Sequence, residues 1–266
     1  MHILVTNDDG VQFPGLLALA KAMQPLGKVS ILAPDRNWSA SGHVKTLDRP
    51  LRVKEISLNG GLSALACDGA PSDCVALALL GLLEPIDLVV SGINPHANLG
   101  HDITYSGTVT AAMEAAIGGV RGLAFSLDTP ENSRTAIQYD EAARMAAPHV
   151  QIALTKNLPH EILINVNLPY RKLEEIKGYR ITRTGQRIYR DELVRRADPR
   201  GRPYYWIGGD VPTGKGEEST DIGALAAGYV SITPIQLDLT AHPWLEAIAS
   251  WNWPLSNSTS GKETQA

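Results

Sequence analysis

Residues 3–34 read ILVTNDDGVQFPGLLALAKAMQPLGKVSILAP, and this stretch decides the fold class. Ile3–Thr6 is a short apolar run of the kind that forms a buried strand. Pro14–Leu26 follows with helical spacing, Pro14 standing at the helix start and Gly27 at its end. Val29–Ala33 is a second apolar run, closed by Pro34-Asp35. A strand, a helix and a strand, with both strands almost wholly apolar, form the unit of a parallel sheet covered on both faces.

The same alternation continues outward. Leu51–Leu58 and Leu62–Cys67 flank Asn59-Gly60-Gly61, a hairpin signal. Ser72 is expected to cap a helix over Asp73–Leu83, and Asp87–Ser91 to form the next strand. Ser106–Ile117 is a helix ended by Gly118-Gly119, Leu123–Leu127 a strand, Ser133–Leu154 mostly helix, and Ile162–Val166 a strand. After Pro169 the character changes. Tyr179–Arg183, Glu192–Arg196 and Tyr204–Ile207 read as strands, the last two joined by the turn Asp198-Pro199-Arg200-Gly201. Arg183, Arg187, Arg190, Arg195, Arg196, Arg200 and Arg202 crowd this part, which reads either as a projecting antiparallel arm for subunit contact or as a solvated basic face. Tyr229–Ile235 returns as a strand and Pro243–Trp251 as a short helix. The expected organisation is one domain over residues 1–252, with an α/β core to about 170, an arm at about 179–228 and a return strand and helix at 229–252. A polar tail expected to be disordered occupies 253–266.

Composition narrows the function classes. Of the 266 residues 44 % are hydrophobic and 20 % charged, an ordinary balance for a chain with a substantial core. A net charge of −4 argues against a nucleic-acid binder. The longest apolar run, Val75–Leu83, is far short of the roughly 20 residues that span a bilayer. No secretory segment precedes the first strand, so a cytoplasmic protein without membrane contact is expected. Cys67 and Cys74 are too far apart for a C-x-x-C motif and read as buried thiols.

In an open α/β sheet, ligands bind beyond the carboxyl ends of the strands, where strand order reverses. Asn7-Asp8-Asp9-Gly10 follows the first strand, Asp35-Arg36-Asn37-Trp38-Ser39 the second, and Gly92-Ile93-Asn94 with Asn98-Leu99-Gly100 the Asp87 strand. Two adjacent carboxylates at the end of a buried strand need a compensating cation, and a hard divalent ion with hydroxyl and amide oxygens supplies it. The bland alternative is that Asp8 and Asp9 only cap the next helix. Tyr105-Ser106-Gly107-Thr108 opens a helix whose backbone N–H groups would favour an anion, or else is a plain N-cap. His43, His96 and His101 lie in or near these loops, and any of them is a candidate proton donor.

Several other sites are excluded. No G-x-G-x-x-G follows the first strand, and no G-x-S-x-G or H-E-x-x-H occurs. Gly209–Lys215 mimics a phosphate loop, but Gly216 stands where the hydroxyl is required. Asp8-Asp9-Gly10 also lacks the D-x-D-x-T pattern of an aspartyl-phosphate mechanism.

Together these residues resemble the SurE family of metal-dependent nucleotidases, also called stationary-phase survival proteins. The resemblance runs through Ile3–Val11, Ala33–Ser39, Ser72–Val75, Val90–Asn94, Asn98–Gly100, Tyr105–Thr108, Ile181–Gly185, Thr220-Asp221 and Gly228–Pro234. It implies a Rossmann-like core with a C-terminal antiparallel arm exchanged or packed between subunits of a dimer or tetramer. It implies hydrolysis of nucleoside 5′- and often 3′-monophosphates, with one Mg²⁺ or Mn²⁺ per subunit. The implied metal ligands are Asp8, Asp9, Ser39 and Asn94, with Asp8 and Asp9 central to catalysis. The implied phosphate-binding residues are Asn98, Ser106, Gly107 and Thr108. His96 stands where the family usually has Gly, and Ala70 where it has Thr. The rival readings are a nucleotide-binding regulatory module without turnover and a transferase built on the same loops.

Overall fold

A computed structural model describes residues 1–130, 137–156, 158–251 and 253–254. The chain divides into two compact units, Met1–Gln236 and Leu237–Ala266. In the first, β1 (His2–Thr6), β2 (Lys28–Pro34), β3 (Val53–Ser57), β4 (Ser63–Cys67), β5 (Leu88–Asn94), β6 (Arg121–Asp128) and β7 (Ile162–Pro169) alternate with α1 (Pro14–Met23), α2 (Pro71–Leu77), α3 (Gly107–Ile117) and α4 (Tyr139–Thr155). Then come β8 (Tyr179–Ile181), β9 (Arg187–Ala197), β10 (Pro203–Gly214), α5 (Asp221–Ala226) and β11 (Val230–Gln236).

Nine strands form one sheet in the order β3-β4-β2-β1-β5-β6-β7-β11-β8, and β9 and β10 form a separate ribbon. β1 lies between β2 and β5, both parallel to it, so the chain winds outward in opposite directions from this pair. The antiparallel contacts of the large sheet are β3 with β4 and β7 with β11. The two faces are read off alternate residues of a strand. Ile3 and Val5 of β1 join the core shared by α1 and α4, while Leu4 points to the opposite core with Val75 and Ala111 of α2 and α3. The α/β sheet with helices on both faces is therefore present, as is the C-terminal antiparallel hairpin.

Local departures from the sequence reading have specific causes. The α2 cap position is Ala70, not Ser72: the Asp73 carboxylate reaches back to the Ala70 N–H at 2.9 Å, and Ser72 lies inside the helix with its hydroxyl on the Val44 carbonyl. Regular α-helix stops at Leu77 rather than Leu83, passing into a wide turn over Ala78–Leu82 with Gly81 at φ 109°. Tyr179–Ile181 is not part of the arm, because it pairs in parallel with β11 at the edge of the large sheet. The ribbon strands are longer than expected and pair through ten residue pairs from Pro203↔Ala197 to Gly214↔Arg187, with a register shift between Asp210 and Thr213. Gly209–Lys215 runs largely within β10, where no phosphate loop can form. Helix α4 begins only at Tyr139, and the expected helical residues 133–136 lie outside the described residues.

Both cysteines are buried and free. Cys74, deeply buried, is pushed well above the usual thiol range, while a hydrogen bond from it lowers Cys67.

The second unit holds a 3-10 turn at His242–Trp244 and α6 (Leu245–Ala249), with His242 Nε2 2.6 Å from Asp238 and the Trp251 and Trp253 rings stacked at 5.8 Å. The expected polar tail lies, from residue 255 onward, outside the described residues. Among the described residues, no helix is long and apolar enough to cross a membrane.

Candidate active site

The connections leaving the carboxyl ends of β1 and β5 run in opposite directions where strand order reverses, the expected place for a ligand crevice. A cavity of about 310 Å³ opens there. Asp8, Asp9, Ser39, Asn94, Asn98 and Ser106 all border it, brought together from the ends of β1, β2 and β5 and the start of α3. Gly107 and Thr108 stand just behind this rim.

The loop after β1 is a tight turn. Asn7 Nδ2 donates to the Gly10 carbonyl at 3.1 Å, and Gly10 takes φ +107°, a region open to Gly at no steric cost. Asp8 is buried and Asp9 half-buried. The Thr108 hydroxyl donates to Asp8 Oδ1 at 2.5 Å, and backbone N–H groups of Gly107 and Thr108 also favour its charge. A Cβ on Gly107 would stand 2.6 Å from the Asp8 Cβ, so only Gly lets α3 begin this close. The positive end of α3 is thus directed at Asp8. Burial still outweighs these donors and holds Asp8 above the usual carboxylate range. Asp9 lacks such help. Burial, then the Asp8 charge, push it up to about 8, and its Oδ2 is buried without a hydrogen-bond partner among the described residues.

An unpaired buried carboxylate oxygen beside a second carboxylate fits a divalent cation, since either acid alone is costly to ionise there. The remaining donors are neutral oxygens from Ser39 and Asn94, the hard set suited to Mg²⁺ or Mn²⁺. Among the described residues no three or more His, Cys, Asp and Glu side chains are grouped so that they could hold a metal ion together, so two carboxylates with neutral oxygens are the set that would do so here.

The supporting residues are distant in sequence. Trp38 N–H donates to the Asp8 carbonyl at 2.7 Å, drawing the Ser39 loop inward. His43 and Lys45 of that loop meet the buried Glu114 of α3 at 2.9 and 2.7 Å. Asn94 Nδ2 donates to the His96 carbonyl at 2.5 Å. Asn98 donates through its side chain to Ser126 at 2.8 Å and through its backbone to Asn167 Oδ1 at 2.8 Å, while Asn165 and Asn167 donate back to its carbonyl. Of the three candidate proton donors only His96 borders the cavity; His43 is turned to Glu114. Sequence reasoning missed Asp102 and Arg187, which border the cavity as an ion pair at 2.6 Å.

The family model described as Survival protein SurE matches residues 3–191. The chain belongs to the SurE family. Its relatives include the 5′-nucleotidase SurE of Chloroflexus aggregans, 54 % identical over 95 % of this chain and all of that one. That of Herpetosiphon aurantiacus is 51 % identical over 95 % of this chain and 99 % of its own, and the 5′-nucleotidase SurE 1 of Thermus thermophilus is 48 % identical over 94 % and 97 %. The SurE protein crystal structure from Aquifex aeolicus superposes with a TM-score of 0.78 at 40 % identity, covering 93 % of this chain and 98 % of that one. The matched span includes every residue lining the crevice except Pro212 and ends within β9.

Proposed function

We propose that this chain is a phosphomonoesterase that hydrolyses nucleoside 5′-monophosphates, and 3′-monophosphates as well, with one Mg²⁺ or Mn²⁺ per subunit. The observation that carries the reading is the unpaired, buried Asp9 oxygen beside Asp8 at the sheet's switch point. The nucleotidase names of its relatives support the substrate class.

Asp8, Asp9, Ser39 and Asn94 would hold the cation. When bound, it supplies Lewis acidity toward the phosphoryl oxygens and the attacking water. Asp8 is locked by the Thr108 hydroxyl and the α3 N-terminus, so its oxygens keep one orientation through a turnover. Asn98 and Ser106 border the side of the cavity where the phosphate would lie, with Gly107 and Thr108 forming the turn beneath it. His96, at the rim and 3.3 Å from Thr129, would be the group to protonate a leaving oxygen. Ser39 is no nucleophile in this scheme, because its loop holds no neighbouring base aimed at it. The β9–β10 ribbon serves contact between subunits of a dimer or tetramer in the cytoplasm.

Phosphate release from AMP, GMP and 3′-AMP, measured with Mg²⁺, Mn²⁺ or EDTA, tests the reading. Release that requires the metal and is abolished by EDTA is expected. Tight AMP binding without release would instead favour a regulatory module, and release only to an added acceptor a transferase.

A further inference from the structure

The crevice has too much negative charge for its proposed substrate. Asp8, Asp9 and Asp102 all border it, and a phosphomonoester carries close to two negative charges at neutral pH. One divalent ion offsets Asp8 and Asp9 and leaves the incoming phosphate facing Asp102. Among the described residues, one permanently charged cation borders the cavity, Arg187.

Arg187 sits in a built seat. Its Nε donates to Asp102 Oδ2 at 2.6 Å, and the other Asp102 oxygen accepts from the Tyr189 hydroxyl at 2.5 Å. Buried Asp221 ties the two loops beneath, its Oδ2 accepting from Gly100 N–H at 2.8 Å and its Oδ1 from Gly185 N–H at 2.7 Å. Those loops press together: Gly100 has φ +52°, and a Cβ there would stand 2.4 Å from the Gly185 carbonyl oxygen. Asp102 occupies only one of the guanidinium's donors. The two terminal nitrogens have no hydrogen-bond partner among the described residues, which leaves a planar fork free for an oxyanion.

We propose that Arg187 grips the non-bridging oxygens of the substrate phosphate, so that the foot of the ribbon delivers the phosphate-binding cation that α3, already turned to Asp8, does not. This rests on the phosphomonoesterase reading and adds to it a residue that the sequence grouped with the arm. The competing account is a purely structural ion pair with Asp102.

Full-length wild type, Arg187→Gln and Arg187→Lys are compared in three measurements: Mn²⁺ affinity by calorimetry, inorganic phosphate affinity in the presence of Mn²⁺ by calorimetry, and KM for AMP. Arg187→Gln is expected to weaken phosphate affinity and raise KM by roughly tenfold to a hundredfold, the worth of a charge-assisted hydrogen bond. Its Mn²⁺ affinity stays at the wild-type value. Arg187→Lys falls between, keeping the charge without the fork. Unchanged phosphate affinity in Arg187→Gln, or equal loss of Mn²⁺ and phosphate affinity in both variants, overturns the proposal. A wild type that releases no phosphate from AMP would sink the phosphomonoesterase reading separately, and the phosphate calorimetry still decides Arg187 in that case.

Discussion

From Leu88 to Ile93 every residue of β5 is buried, whereas in the ribbon Leu193 is 73 % and Ile207 85 % exposed. Both stretches are rich in strand-forming residues, and both pair with at least one neighbouring strand. The difference lies in what covers their faces. β5 has helices on both sides and a strand on each edge, so apolar burial is completed within the chain. The ribbon is two strands with no layer of its own, and a large exposed apolar face on such an element marks a contact surface. The sheet completes its apolar burial within the chain, and the ribbon leaves Leu193 and Ile207 uncovered, as the proposed contact between subunits would require. The crevice lies where the two meet, with carboxylates from the sheet and Arg187 from the ribbon.

The largest effect comes from breaking the sheet's side of that crevice. Asp8→Asn removes the better-anchored of the two charges that would hold the cation. Turnover in phosphate-release assays should fall by roughly a thousandfold, with Mn²⁺ affinity falling alongside it, while the fold persists because the amide fills the same space. Wild-type rates in this variant would contradict the proposed site.

Stability separates the two regions next. Phe125, among the largest fully buried side chains, lies in the core under α1 and α4. Phe125→Ala should cost about 3–5 kcal/mol in denaturant unfolding. Ile207→Ala removes an exposed side chain and should change subunit stability by less than about 0.5 kcal/mol. The same variant should weaken self-association in sedimentation analysis, and an equal loss of subunit stability in both variants would show that sheet and ribbon do not differ in this way.

The smallest effect is a pH dependence. The hydrogen bond from His43, then that from Lys45, hold Glu114 below the usual carboxylate range despite its burial. A carboxylate depressed in the folded state adds stability above its unfolded pKa, and that stability is lost as pH falls through the folded value. Glu114→Gln should therefore lower the melting temperature near neutrality and flatten its decline in acid. A variant whose acid limb matches wild type would show that the Glu114 contacts carry no linked proton.

The α/β core was legible because strand and helix periods are local, and most apolar runs of the first 170 residues lie within one element, Val75–Leu83 being the exception where α2 gives way to the turn over Ala78–Leu82. Asp8, Asp9, Ser39 and Asn94 could be singled out as candidates for a related reason, since Asp8 and Asp9 lie just past β1, Ser39 in the loop after β2 and Asn94 at the last residue of β5. What escaped depends on pairing across long stretches of chain. Asn167 reaches Asn98 across 69 residues, His43 reaches Glu114 across 71, and Arg187 reaches Asp102 across 85. An arginine among seven in a basic stretch gives no sign of which one turns inward. The expected Ser72 cap failed because at Ala70 a side chain three residues later, Asp73, supplied the acceptor, which a search for Ser or Thr at the cap itself overlooks. Tyr179–Ile181 was misassigned because its partner, β11, comes some fifty residues later.

The chain enters the ribbon from β8 and leaves it, by way of α5, for β11, and these two strands are hydrogen-bonded neighbours in the large sheet. Both ends of the excursion are therefore moored to the same raft. A protease nick at the tip, in the turn Asp198–Gly201, would cut the covalent chain yet leave the fragments clasped by that pair of strands and by the β7–β11 ladder. The nicked molecule should migrate as two bands under denaturing conditions and as one body without them.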